Sequence, residues 1–185
     1  MGSVYPEKIM IAAARSTINK LIKSASSHAL RKVREVYNIS AGTLREHTAI
    51  WPAKGNEIEA KFIVRGRKMR LTHFQPMPKY EGLFGSKNKL ERFRRSSRGI
   101  TVLIRRTGGR KIVLGSFYGR ARGSAKIFIW KREGPGRYPI KPLFTVSPAN
   151  MMEKEGEAVF EKLVQDEAGS TFNHELDFFL NKGGS

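Results

Sequence analysis

The chain has 185 residues, 39% of them hydrophobic, which suits one domain or one domain with an arm around a lean core. Lys and Arg number 35 against 16 Asp and Glu, and the charge is segregated: residues 1–149 hold 32 basic and 8 acidic side chains, residues 150–185 hold 3 and 8. A body at +24 before an end at −5 points to a polyanion or an acidic partner, the lack of Cys excludes disulfides and thiolate metal sites, and the lack of an apolar run of about 18 residues argues against a membrane span.

The opening MGSVYPEKIMIAAARS has an apolar stretch without the basic leader of a secretory signal. Pro6 suits the first turn of a helix, where its missing N–H costs nothing. From there Ile9, Ala12, Ala13, Ile18, Leu21, Ile22, Ala25, Ala29, Val33, Val36 and Tyr37 recur at three- and four-residue steps, which predicts one long amphipathic helix over about 6–37. Asn38 or Ser40 then stops it and caps a shorter helix at about 41–48, and WPAKGN closes the helical region. Ile58, Ala60, Phe62 and Val64 alternate with Glu57, Glu59 and Lys61 as a strand, and Gly66 leads to a second strand carrying Met69 and Leu71.

Residues 75–98 have no clean period and read as a long basic loop, with Lys87, Lys89, Arg92, Arg94, Arg95 and Arg98 against Glu91. GITVLIRR-TGG-RKIVLGSFYG is a hairpin around Thr107-Gly108-Gly109, and SAKIFIWKR a further strand at about 124–132. A Pro-rich, aromatic hinge follows in GPGRYPIKPLF, where Pro135, Pro139, Pro142 and Pro148 pre-set φ and Tyr138, Ile140, Leu143 and Phe144 supply anchors. Ser147 caps a helix at about 148–167 with Glu153, Glu155 and Glu157 early, where carboxylates suit the dipole. Gly169 separates it from an amphipathic arm at 168–185 carrying Phe172, Leu176, Phe179 and Leu180. The fold class is therefore α+β: an antiparallel sheet of about five strands packed by a long N-terminal and a C-terminal helix, within one domain at 1–167.

No catalytic pattern emerges. His28, His47, His73 and His174 share no ligand spacing, and HExxH, GxxxxGK[ST] and GxSxG are all missing. We therefore expect no enzyme, cofactor or metal. Charge with interleaved aromatics remains: Phe117, Tyr118, Phe128 and Trp130 lie near Arg120, Arg122, Lys131 and Arg132, as Tyr80, Phe84 and Phe93 do in the basic loop. Such mixtures bind single strands by stacking, or the aromatics alternate into the core, the favoured reading for Phe117 and Phe128.

In order and spacing over about 9–165, the chain resembles the minor tail protein Z family of lambda-like phages, the tail-completion proteins. The likeness rests on IMIAAARSTINKLIKSASSHALRKV, AKFIVRGRKMRLTHFQP, GITVLIRR, GSFYG, KIFIWKR and RYPI. What it implies is a virion component at the head-proximal neck of a long-tailed phage's tail, assembled in the host cytoplasm. It implies a homo-oligomeric, six-fold ring beside the tail terminator and the head–tail connector, around double-stranded DNA. Phosphate contacts carry no base information, so a ring wall of Lys and Arg tolerates any sequence. Arg92, Arg94, Arg95 and Arg98, with Arg105, Arg106, Arg110 and Lys111, are the expected DNA-facing residues. Contacts between subunits are expected from Tyr138, Ile140, Leu143 and Phe144, from Glu153, Glu155 and Glu157, and from Phe172, Leu176 and Phe179. A cellular RNA- or DNA-binding protein of ribosomal type has a similar composition, and a nuclease built on Glu57 and Glu59 is a third reading.

Overall fold

A computed structural model describes residues 6–78, 99–121, 123 and 125–183. The fold is α+β with antiparallel pairing throughout: the described residues hold seven short strands in three small sheets, with a long helix at either end of the chain. They divide into two compact units, one of 6–33, 45–65 and 151–183, the other of 34–44, 66–78 and the described residues from 99 to 150.

In the first unit, helix α1 (Glu7–Val36) begins as expected, with the amides of Ile9 and Met10 donating to the carbonyl of Pro6. Its inward stripe is Ala13, Thr17, Leu21, Ile22, Ala25, Ala29 and Val33, mostly small or branched residues that let another backbone come close. That backbone is a π-helical turn, Met152–Gly156, which joins helix α3 (Pro148–Met151) to helix α4 (Glu157–Gly183). A Cβ at Gly156 would sit 2.2 Å from Met152 Sδ and 3.3 Å from both the Ala29 carbonyl and Val33 Cγ2, so any side chain here pushes the thioether aside and crowds α1. A two-stranded ribbon completes the unit: β1 (Thr48–Trp51) pairs antiparallel with β2 (Lys61–Val64), Thr48 opposite Val64 and Trp51 opposite Lys61. Phe62 stacks on Phe160 with ring centroids 5.6 Å apart. Asn19 binds both the amide and the carbonyl of Ala53, at 2.8 and 3.0 Å, and so ties the loop after β1 to α1.

The second unit is the β-rich one. Helix α2 (Ala41–Arg45) ends in the first unit but starts here, its Thr43 amide donating to Ser40 Oγ as a side-chain cap. A 3₁₀ turn (Leu71–His73) precedes the β3–β4 hairpin, in which Ile100–Val102 pairs with Lys111–Val113. The three-stranded sheet runs β5 (Ser116–Arg120), β6 (Ile127–Arg132), β7 (Ile140–Pro142). Its inward face supplies Tyr118 and Ile129 to a core shared with Leu71, Ile100 and Val102, and Ile104, Val113, Ile127 and Leu143 pack against that core. Buried Ser116 ties the two sheets, its Oγ accepting from the Ile100 amide at 2.9 Å and donating to the Val113 carbonyl at 2.6 Å.

Four local expectations are corrected. The stretch 48–51 is a strand, because Thr48, Ile50 and Trp51 fit a pleated surface better than a helix end. Met69 and Leu71 are buried without forming a strand: Arg70 makes a lone bridge to Phe144 and the chain then tightens into the 3₁₀ turn. KIVLGSFYG is two strands, since the chain turns at Leu114-Gly115 between β4 and β5. Helix α4 runs through Gly169 unbroken, so 168–183 belong to it; the cost of one helical glycine, about 1 kcal/mol, is outweighed by half-buried side chains on both flanks.

Candidate nucleic-acid interface

The cationic hairpin end is built by hydrogen bonds to backbone. The last carbonyls of any helix lack an intrahelical donor, and in this unit those of α1 are met by Arg106: its amide donates to Val36 at 2.8 Å and its Nε to Arg34 at 2.7 Å. The Arg105 guanidinium lies 5.3 Å over the ring of buried Tyr37. Arg110 Nη1 donates to the Gln75 carbonyl at 2.6 Å. These three arginines and Lys111 are all exposed. Arginine carries five N–H donors, so each of these guanidiniums keeps donors beyond those spent on the fold. Sequence reasoning placed them on a basic surface and missed that Arg106 finishes α1 and Arg105 covers Tyr37 just beyond it, partnerships about seventy residues apart that no local pattern encodes. Arg92, Arg94, Arg95 and Arg98 lie outside the described residues.

The outer face of the β5–β6–β7 sheet reverses an expectation. Directly opposed residues on neighbouring strands share a face. Phe117 opposes Trp130, which opposes Pro142; Gly119 opposes Phe128; Arg132 opposes Ile140. Phe117 and Phe128 therefore point away from the core, and Tyr118 and Ile129 point into it, buried to 8% and 0% exposure. Phe144 joins the outer row, its ring 6.4 Å from Phe128 and edge-on to it, with Trp130 5.8 Å from Phe128 on the other side. Two guanidiniums lie on this aromatic surface: Arg70 at 5.3 Å from the Phe128 centroid and Arg132 at 4.9 Å from that of Phe117. Gly119 makes room for the indole, since a Cβ there would stand 2.9 Å from Trp130 Cδ1 and 3.0 Å from Nε1. The Trp130 Nε1–H, shielded against that backbone, has no acceptor among the described residues. Arg70 was not among the sequence candidates; it comes from a segment more than fifty residues away, with nothing in KMRL to mark it.

The residues expected between subunits fall into three groups. Leu143 packs on the core of its own unit and Leu176 is buried, so both complete the chain's own packing and are withdrawn from that set. Ile140, Phe172 and Phe179 are half-buried. Tyr138, Phe144, Glu153 and Glu157 are exposed, Glu155 half so. The Pro-rich stretch is the β6–β7 connection, closed by the Glu133 amide on the Pro139 carbonyl at 3.1 Å and by a 2.8 Å Lys141–Glu133 ion pair. The chain then zips back, Leu143 to Ile129 and Thr145 to Met69, before Ser147 Oγ accepts the Asn150 amide and starts α3.

One ionisable site escaped the sequence reading. Glu175 of α4, only 3% exposed, accepts from Ser16 Oγ at 2.5 Å and from Lys20 Nζ on α1, with His174 Nδ1 at 3.3 Å. The Lys20 ammonium first, then the Ser16 hydroxyl, hold this carboxyl below the usual carboxylate range, although burial works the other way. Its sign in the sequence is a carboxylate inside the apolar stripe of Phe172, Leu176 and Phe179.

Among the described residues, no group of three or more His, Asp or Glu could hold a metal ion, and no helix is long and apolar enough to cross a membrane. Glu57 and Glu59 are both exposed, Glu59 paired with Lys61 at 3.3 Å. Comparison with protein-family models, curated proteins and solved structures finds no match to this chain.

Proposed function

We propose that this chain is a structural virion protein of a long-tailed phage, a tail-completion component of the neck that joins the tail to the head connector around the DNA. The observation that carries the reading is the division of exposed charge. Arg105, Arg106, Arg110 and Lys111 crowd one hairpin end in the β-rich unit, while exposed Glu153 of the π turn and Glu157 and Glu161 of α4 follow one another at four-residue steps. A basic patch and an acidic ridge on one chain make a head-to-tail contact between copies, the kind that closes into a ring. The cations of this hairpin end would face a polyanion of any sequence. In this reading the ring is hexameric to match its neighbours, the tail terminator and the connector proteins, and the chain works without a cofactor and without catalysis.

The test has two arms. Purified protein should form rings of a single size by electron microscopy and light scattering, and Glu153→Lys with Glu157→Lys should return it to monomer. Replacing Arg105, Arg110 and Lys111 together by Gln should lower the slope of log affinity for duplex DNA against log salt by about 0.9 for each phosphate no longer neutralised. A monomer at all concentrations that grips structured RNA more tightly than duplex DNA would refute the reading in favour of a ribosomal-type binder. Metal-dependent cleavage lost in Glu57→Gln would refute it in favour of a nuclease.

A further inference from the structure

We infer that the outer face of the β5–β6–β7 sheet is a stacking platform for single-stranded DNA. This goes beyond the reading of the chain as a protein around duplex DNA: it is a contact of different chemistry from the phosphate-facing hairpin, and it is tested separately.

Ring faces are the first ground. Phe117 and Trp130 lie in one cross-strand row, Phe128 and Phe144 in the next, on strands whose spacing is about 4.8 Å. Phe144 is 46% exposed, and Tyr138 at the rim 69%. Every base has a π face, so such a surface holds unpaired bases whatever their sequence. Charge is the second. The guanidinium carbons of Arg70, Arg132 and Arg137 lie 5.3, 4.9 and 5.9 Å from the ring centroids of Phe128, Phe117 and Tyr138, which sets three cations beside the aromatic rows, within reach of the phosphates of a strand lying there. Glu133, the one acidic residue between 99 and 149, is engaged by Lys141 at 2.8 Å and does not oppose them.

These features select one occupant. A duplex keeps its base faces inside its own stack, so rings on a sheet gain nothing from it. Favouring RNA over DNA needs groups aimed at the 2′-hydroxyl, and this face offers rings and guanidiniums, so RNA gains nothing over DNA there. An acidic protein segment would pair with the arginines and leave the rings idle.

The experiment uses the full chain carrying Trp51→Phe, which leaves Trp130 as the single tryptophan. An oligo(dT) of about 15 nucleotides, within the range one such surface covers, should quench Trp130 emission saturably. Phe144→Ala and Tyr138→Ala, both at exposed positions and checked for unchanged thermal unfolding, should each weaken oligo(dT) binding roughly tenfold. Duplex affinity should stay within about twofold, because phosphate contacts dominate it. Emission unchanged at saturation, equal loss on duplex and single strand, or oligo(U) held more tightly than oligo(dT) would each overturn the proposal. So would a loss of oligomer mass in Phe144→Ala with DNA binding intact, which makes the face a subunit contact. If rings never form yet oligo(dT) still quenches Trp130, the phage reading falls and the stacking surface stands.

Discussion

Replacing Glu175 tests how the C-terminal helix is held to α1. Its carboxylate is 3% exposed and takes three contacts, from Ser16 at 2.5 Å, from Lys20, and from His174 at 3.3 Å. A hydrogen bond to a charged group contributes about 1.5–3 kcal/mol when shielded. The Lys20 and His174 side chains are 57% and 76% exposed, however, so solvent screens both, and each falls to the surface-pair scale of below about 1 kcal/mol. Glu175→Gln retains an acceptor for Ser16 and should cost roughly 1 kcal/mol, whereas Glu175→Ala also strands the Ser16 hydroxyl and should cost roughly 2–3. For a chain of this size each kcal/mol lowers Tm by about 2–4 °C. The sign with pH follows from the direction of the shift: a carboxyl held below its unfolded value of about 4.3 stabilises the fold in full above that pH and loses the contribution as pH falls through the folded value. Wild type and Glu175→Gln should therefore differ in urea unfolding at neutral pH and converge on acidification. A gap that persists undiminished at about pH 3 would mean the glutamate acts by shape alone and would refute the ion-pair account.

Arg106→Met should remove the side-chain part of the cap at the end of α1, leaving the amide bond to Val36, and cost about 1 kcal/mol by chemical denaturation, while Lys111→Met, at an exposed position, should leave stability unchanged. Gly119→Val should push the indole off the strand, so that Trp130 emission in the Trp51→Phe background shifts to the red and stability falls by roughly 1–3 kcal/mol. Gly156→Ala should destabilise the π turn by a similar amount, and adding Met152→Ala should restore part of it by removing the nearest of the three close contacts; no recovery would place the conflict at the Ala29 carbonyl and the Val33 methyl.

What could be read from the sequence follows the range of the interactions involved. The span of α1, the cap at Ser147 and the β3–β4 hairpin all depend on neighbours within a few residues, and each is where the pattern put it. Gly169 failed as a helix stop because a glycine marks an end only where packing beyond it stops. The sheet face failed for a different reason. SFYGR and IFIWKR place aromatic and aliphatic residues on both sides of the strand, so alternation alone does not say whether Phe117 or Tyr118 faces inward. The choice is made by partners distant in sequence: Leu71, Ile100 and Val102 lie on one side, with the Tyr118 hydroxyl reaching the Pro78 carbonyl at 2.7 Å, and Arg70 lies on the other.

The same long-range partnerships bear on how the cations work. A lysine or arginine free in solvent loses rotamer entropy on meeting a phosphate, roughly 0.5–1.5 kcal/mol for each immobilised side chain. Arg105, Arg106 and Arg110 have lost much of that freedom already, to Tyr37, to the end of α1 and to Gln75, and Arg70 and Arg132 to ring faces. On the proposed reading, folding therefore lowers the cost of a later contact with phosphate. The arrangement would also couple the two: a substitution at Arg106 should act on helix stability and on polyanion affinity together, whereas one at Lys111, with no such tether among the described residues, should act on affinity alone. Measuring both quantities for both side chains separates a surface that is merely positive from one whose charges are fixed in position by the fold.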